Sequence, residues 1–150
     1  MNVVRGVVNT VRGPVDPEDL GIVTMHEHLW MDATPLLAVH GYDSGGTRAW
    51  DASAAAEARW NPGVHPDNYR LTDVDAAVEE LAQFRAAGGG KIVELTPPSL
   101  GRRVDRVREI AERAGVHVVQ GAGQYLGATH EAWVAEADEA AIATRLIADA

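Results

Sequence analysis

The sequence contains no cysteine. That excludes a disulfide framework, a thiolate zinc site and a cysteine nucleophile, and it fits a reducing cytoplasm. No apolar run approaches the roughly 18 to 20 residues that span a bilayer. The first ten residues carry Arg5 inside a short apolar stretch, a poor match to a signal peptide. Basic residues are few: 13 Lys and Arg stand against 22 Asp and Glu, a formal net charge of −9. The densest basic group, Arg102, Arg103, Arg106 and Arg108, is interleaved with Asp105 and Glu109. That is the pattern of a solvated helix face, not of a track for phosphates. These shortages predict a cytoplasmic protein that engages neither nucleic acid nor membrane.

Two catalytic or binding signatures are also missing. Gly121-Ala122-Gly123 follows an apolar run, but the next glycine is Gly127, so the spacing of a dinucleotide-binding loop fails. Ser53 and Ser99 lack the context of a nucleophile elbow.

What is present reads as α/β. Apolar residues make up 46% of the chain and charged residues 23%, enough for one core. Residues 3–11 and 22–28 read as strands separated by the turn signals Gly13-Pro14 and Asp16-Pro17, a small hairpin leading into a core strand. Residues 31–70 are broken by Pro35, Gly41, Gly45-Gly46, Pro62, Gly63 and Pro66, and Trp30, Trp50 and Trp60 fall in or beside them. A connection this long is usually functional when ordered; its Ala-rich residues 52–59 suit one or two helical turns. From Thr72, a candidate cap, Val74, Ala77, Val78, Leu81 and Phe84 recur at helical spacing until Gly88-Gly89-Gly90. A strand follows over 91–96, then a helix with Val104, Val107, Ile110, Ala111 and Ala114 on one face and Gly115 past its end. A strand over 116–121 and a helix over 138–150 complete the order. Such alternation implies a parallel sheet. An open doubly wound sheet and a (β/α)8 barrel both satisfy it.

The chemistry-bearing segment is Thr24-Met25-His26-Glu27-His28. In a strand, residues i and i+2 share a face. His26 and His28 then project together at the carboxyl end of the strand, where α/β proteins place their sites. Two such imidazoles chelate one divalent cation, and zinc takes nitrogen ligands readily; the competing reading is packing. Two ligands do not close a site, since catalytic zinc takes about three protein ligands and an open position. Glu27 faces away and suits a supporting hydrogen bond or a salt bridge behind the sheet. Glu94, mid-strand with Ile92 and Thr96, either approaches the metal region or is satisfied structurally by a neighbouring cation, the second being favoured. Tyr125 walls a pocket or simply packs. His130 and His65 are loop histidines with a site role or a surface role, His117 opens a strand away from its carboxyl end, and His40 is uninformative.

Taken together, ordered stretches of this chain resemble the phosphotriesterase family. The likeness runs through Asn9-Thr10-Val11-Arg12-Gly13-Pro14, Thr24-Met25-His26-Glu27-His28-Leu29, Asn61-Pro62 and Gly88-Gly89-Gly90-Lys91-Ile92-Val93-Glu94. It continues through Leu100-Gly101-Arg102, Ala114-Gly115-Val116-His117-Val118-Val119, Gly121-Ala122-Gly123-Gln124-Tyr125 and Ala128-Thr129-His130, closest to the phosphotriesterase-related branch. The resemblance implies a (β/α)8 barrel of the amidohydrolase type holding two divalent metals, commonly zinc, with His26 and His28 on the more buried ion. It implies metal-assisted hydrolysis of phosphotriester, lactone or related ester and amide bonds by an activated water. Tyr125 matches a position lining the substrate pocket, and His130 is placed in the same pocket.

Two departures stand out. The family pattern Gly-Arg-Asp is here Gly101-Arg102-Arg103, which puts the local helix start or an ion pair in doubt. Barrels of this kind run to about 250 residues or more, whereas this chain has 150. The family's bridging ligand and its later His and Asp ligands have no counterpart, so the catalytic residues proper are unassigned. The expectation is therefore residues 1–150 as the N-terminal part of a barrel: a short hairpin, then about three parallel strands with helices. Such a truncated gene or fragment would hold part of one ligand set, would be inactive alone and would tend to self-associate through its open edge. The alternative is a non-catalytic fragment or α/β binding module with at most a weak metal site.

Overall fold

In the computed structural model, residues 6–42 and 50–149 are described. Val3, Val4 and Arg5 of the expected first strand, Gly45-Gly46, and Ala150 at the end of the expected last helix lie outside them.

The chain begins with an antiparallel hairpin of β1 (Val8–Thr10) and β2 (Gly13–Val15). Gly13-Pro14, expected as a turn, instead opens β2: Thr10 pairs with Gly13, and the Thr10 hydroxyl donates to the Gly13 carbonyl at 2.7 Å. The hairpin closes on itself, so β3 (Ile22–Glu27) is not its second arm. β3 is the first strand of the core sheet.

Residues 31–70 are not structureless. They contain β4 (Met31–Asp32), α1 (Pro35–Val39), α2 (Ala52–Glu57) and two short 3₁₀ turns, and they close on β5 (Arg70–Leu71). Met31 pairs with Leu71 and Asp32 with Arg70, so the segment leaves and re-enters the domain at one point. Its Ala33, Leu37 and Tyr69 form a small core with Leu100, which follows the next core strand.

Then comes α3 (Val74–Ala86). Asp73, not Thr72, caps it, accepting from the Ala76 N–H at 3.1 Å. The β4–β5 ladder holds the backbone extended through Leu71 and moves the helix start one residue on. β6 (Gly89–Glu94) begins two residues earlier than expected, because Gly89 and Gly90 are part of the strand. A Cβ on Gly90 would lie 2.1 Å from the Leu20 carbonyl oxygen, so only glycine lets the chain before β3 come this close.

α4 (Val104–Ala114) buries Val107, Ile110, Ala111 and Ala114 of the face read from the sequence, while Val104, in its first turn, is exposed. It ends on Gly115 at φ +68°, a left-handed cap that a side chain resists. β7 (His117–Gln120) follows, then α5 (Ala132–Glu136), a single turn the sequence pattern did not signal, and α6 (Glu139–Asp149), capped by Asp138. β3, β6 and β7 form one parallel sheet in that order. Ile92 and Val118 from the sheet, Leu81 from α3 and the buried face of α4 make the main core. This is the α/β arrangement expected: three parallel strands with their helices after a hairpin.

The Arg103 departure has a visible effect. Arg103 sits at the cap position of α4 and gives the helix no side-chain cap. It turns instead onto Asp105, donating from Nε to Oδ1 at 2.8 Å and from Nη2 to Oδ2 at 2.7 Å. This two-pronged hydrogen bond holds the Asp105 carboxyl down at about 2, from an ordinary 3.8.

Two tests follow from the packing and the pair. Ile110→Ala lowers unfolding free energy by about 2–5 kcal/mol in urea titrations, whereas Ile147→Ala, 77% exposed, changes it by about 0.5 kcal/mol or less. An NMR titration of Asp105 has its midpoint at about 2 and returns to the ordinary 3.8 in Arg103→Gln. Because the folded value is depressed, the small stabilisation from this exposed pair is present above 3.8 and fades as pH falls toward 2.

Candidate metal centre

The carboxyl ends of β3, β6 and β7 open on a cavity of about 510 Å³. His26 and His28 come from the end of β3, Leu95 and Pro97 from the end of β6, and Ala122 and Tyr125 from the chain after β7. The segment 31–70 supplies Met31, Ala33, Leu36, Asn68 and Tyr69. A second cavity of about 500 Å³ lies between the hairpin and β7, lined by Val8, Val11, Val119 and Asp149 among others. It contains no imidazole, so the chemistry belongs to the first.

The two imidazoles meet. Their ring centres are 5.7 Å apart and their planes cross at 71°. That agrees with alternation along the strand, and a register irregularity lies beside it. Between Thr24 and Glu27 the pairing with β6 shifts, with three steps along β3 against two along β6. A bulge of this kind re-aims side chains at the rim of a sheet. Two rings bound through nitrogen at about 2 Å to one tetrahedral ion have centres about 5 Å apart, so the observed separation fits a shared cation after a small rotation. The donor set also fits: His26 is exposed and makes no side-chain hydrogen bond among the described residues, and His28 faces the same cavity. Among the described residues no group of three or more His, Cys, Asp or Glu is placed to hold an ion, so this pair is a partial ligand set.

Behind His28 lies a buried polar network. Glu94 and Thr96 have no exposed surface. The Thr96 hydroxyl donates a short hydrogen bond to Glu94 Oε1, and the Thr96 N–H lies 3.2 Å from both carboxylate oxygens. Gln120 Nε2 donates to Glu94 Oε2 at 2.8 Å. His28 Nδ1 is 2.8 Å from Thr96 Oγ1 and 3.7 Å from Glu94 Oε1. Glu94 is thus satisfied by neutral donors, and no Lys or Arg among the described residues meets it, contrary to the neighbouring cation expected; it also lies beside His28, so it approaches the metal region as well. The supporting task expected of Glu27 falls to these residues instead. Glu27 is exposed, with no side-chain hydrogen bond or ion pair among the described residues.

Tyr125 lines the cavity and is 54% exposed. His130 is not among the lining residues; its Nε2 lies 3.2 Å from the Tyr125 carbonyl oxygen, which fixes the turn that carries Tyr125. His65 is buried against Trp50, and its Nδ1 accepts from the Asp67 N–H at 3.1 Å, so it caps the turn Pro66–Tyr69. His117 is half-buried on β7, and His40 stands exposed beside Tyr42. Sequence reasoning missed Asn68 and Tyr69, which only the β4–β5 closure brings over the cavity. It also missed Gln120, whose register opposite Glu94 no local pattern reveals. Thr96, two residues beyond Glu94 on the same face, was the one readable signal.

The phosphotriesterase family model matches residues 6–149. The chain belongs to the phosphotriesterase family. It is 38% identical over 144 residues to N-acetyltaurine hydrolase of Rattus norvegicus, covering 88% of this chain and 39% of that protein. The Danio rerio N-acetyltaurine hydrolase is 35% identical over 133 residues, covering 87% and 38%. The chain therefore spans about two fifths of the length of these curated relatives. Among solved structures, a resiniferatoxin-binding protein from Rhodobacter sphaeroides superposes with a TM-score of 0.86 at 32% identity, over 95% of this chain and 41% of that one. The phosphotriesterase from Mycobacterium tuberculosis superposes with a TM-score of 0.52 at 26% identity, over 81% and 30%. Within this phosphotriesterase-family chain, no helix among the described residues is long and apolar enough to cross a membrane.

Proposed function

We propose that residues 1–150 form the opening part of a (β/α)8 barrel in a metal-dependent hydrolase acting on ester, lactone or amide bonds of small molecules. The observation that carries this reading is the meeting of His26 and His28 at one cavity, at the carboxyl ends of parallel strands. The two residues would hold one divalent cation, zinc, of the two that a complete site of this family takes. A cation there supplies Lewis-acid activation of water and of the substrate's carbonyl or phosphoryl oxygen. His26 and His28 offer the ring nitrogens, Tyr125 walls the substrate space, and His130 holds the turn that presents it. Met31, Leu36 and Leu95 keep the cavity largely apolar, which limits water around a bound substrate. Among the three bond types, an amide is supported by the relatives' name, N-acetyltaurine hydrolase.

A second reading is ligand binding without turnover. The two-donor set and the apolar lining favour it, as does the name of the Rhodobacter protein.

Titration calorimetry decides the ligands. The 150-residue chain binds zinc weakly, and His26→Ala/His28→Ala lowers that affinity about tenfold or more; unchanged binding in the double variant removes the assignment. Hydrolysis of lactone and N-acyl substrates by the chain alone is negligible. Turnover that His26→Ala abolishes would show that the two-donor set suffices. The edge of β3 that carries no strand partner among the described residues, and that of β7, which meets the hairpin through the Val11 N–H to the Val118 carbonyl at 2.9 Å, drive self-association, read by sedimentation velocity as a mass that rises with concentration.

A further inference from the structure

The hydrogen bonds around Glu94 determine which nitrogen of His28 is free. Three donor groups converge on the Glu94 carboxylate: the Thr96 N–H, the Thr96 hydroxyl and the Gln120 amide. The Gln120 amide has one workable orientation. Its Nε2 faces Glu94 Oε2 at 2.8 Å, the Glu94 carbonyl at 3.2 Å and the Thr96 carbonyl at 3.5 Å, and a flipped amide would set oxygen against three oxygens. The Thr96 hydroxyl has one proton. With Glu94 as the carboxylate, a hydroxyl proton pointed to His28 would leave Thr96 Oγ1 and Glu94 Oε1 facing each other at hydrogen-bond range with no proton between them. The proton therefore lies toward Glu94, and Thr96 Oγ1 meets His28 Nδ1, at 2.8 Å, only as an acceptor. Nδ1 must carry hydrogen. In the neutral ring this leaves Nε2 bare, with its lone pair available.

We propose that Thr96, oriented by Glu94 and Gln120, is a positioning residue that locks His28 in the Nδ1–H tautomer, so that Nε2 is the atom presented to a divalent cation. The last step rests on the metal reading above; the tautomer itself does not. The chain of contacts runs from β7 through β6 to the residue after β3, so the ring's proton is set by the packing of all three strands. A histidine that donates its second nitrogen to an oxygen partner is a better and better-aimed ligand.

The test begins on the metal-free chain. In long-range proton–nitrogen NMR spectra at mildly alkaline pH, His28 shows its proton on Nδ1. Thr96→Val, which keeps the shape and removes the hydroxyl, shifts the ring toward the Nε2–H form, and Thr96→Ser restores Nδ1–H. Zinc affinity falls about 10- to 100-fold in Thr96→Val and recovers in Thr96→Ser. A His28 ring protonated at Nε2 in the unaltered chain overturns the positioning role, and so does an Nδ1–H ring unmoved by Thr96→Val. The first of these needs no variant, so poor folding of Thr96→Val cannot shelter the proposal. A changed tautomer with unchanged zinc affinity breaks the link between the two. Zinc affinity unmoved in His26→Ala/His28→Ala removes the metal reading while the NMR result stands.

Discussion

The burial of the Glu94 carboxylate is the constraint on which the rest of the site depends. A charge taken wholly out of water is costly unless its oxygens are met by donors. Among the described residues no Lys or Arg meets them; a backbone amide, a hydroxyl and a side-chain amide do. Each donor comes from a place the sheet must hold steady. Gln120 lies opposite Glu94 in the β6–β7 register, and Thr96 follows β6 where the backbone still binds β3 through the Leu95 N–H to the Glu27 carbonyl at 3.0 Å. Two of the donors are local to the end of β6, and the third requires β7 in register with it, so the burial of Glu94 ties the β6–β7 alignment to the position of the His28 ring.

Much of this was legible in the residues. The α4 stripe of Val107, Ile110, Ala111 and Ala114, closed by Gly115, is a local pattern with one physical solution, and the structure adopts it. The two histidines and their placement at the carboxyl end of a strand were equally plain. Non-local pairing was harder. Gly13-Pro14 carries every mark of a turn, yet pairing with Thr10 draws Gly13 into a strand. Thr72 is a good cap in isolation, but the ladder between Met31 and Leu71 reaches across 40 positions of sequence to displace the helix start. Long-range contacts of this kind override local propensity because they fix backbone angles that the local signal only prefers.

The candidate site shows the same division. Alternation predicts His26 and His28 on one side and Glu27 on the other, and the rings do meet. A register shift inside β3 accompanies that placement, and nothing in the hexapeptide announces it. The partner of His28 could be guessed only in part: Glu94 stood out as a carboxylate in an apolar strand, whereas Gln120 acquires its meaning from the strand beside it. The roof residues Asn68 and Tyr69 belong to a stretch whose sequence reads as punctuation.

That stretch is stitched to the domain at its neck. Met31 with Leu71 and Asp32 with Arg70 form a two-rung clasp, and Ala33, Leu37 and Tyr69 pack on Leu100 just inside it. Flexible connections away from those anchor points lengthen at about 0.6 kcal/mol for each doubling, so residues can be gained there while the three strands beneath keep their alignment.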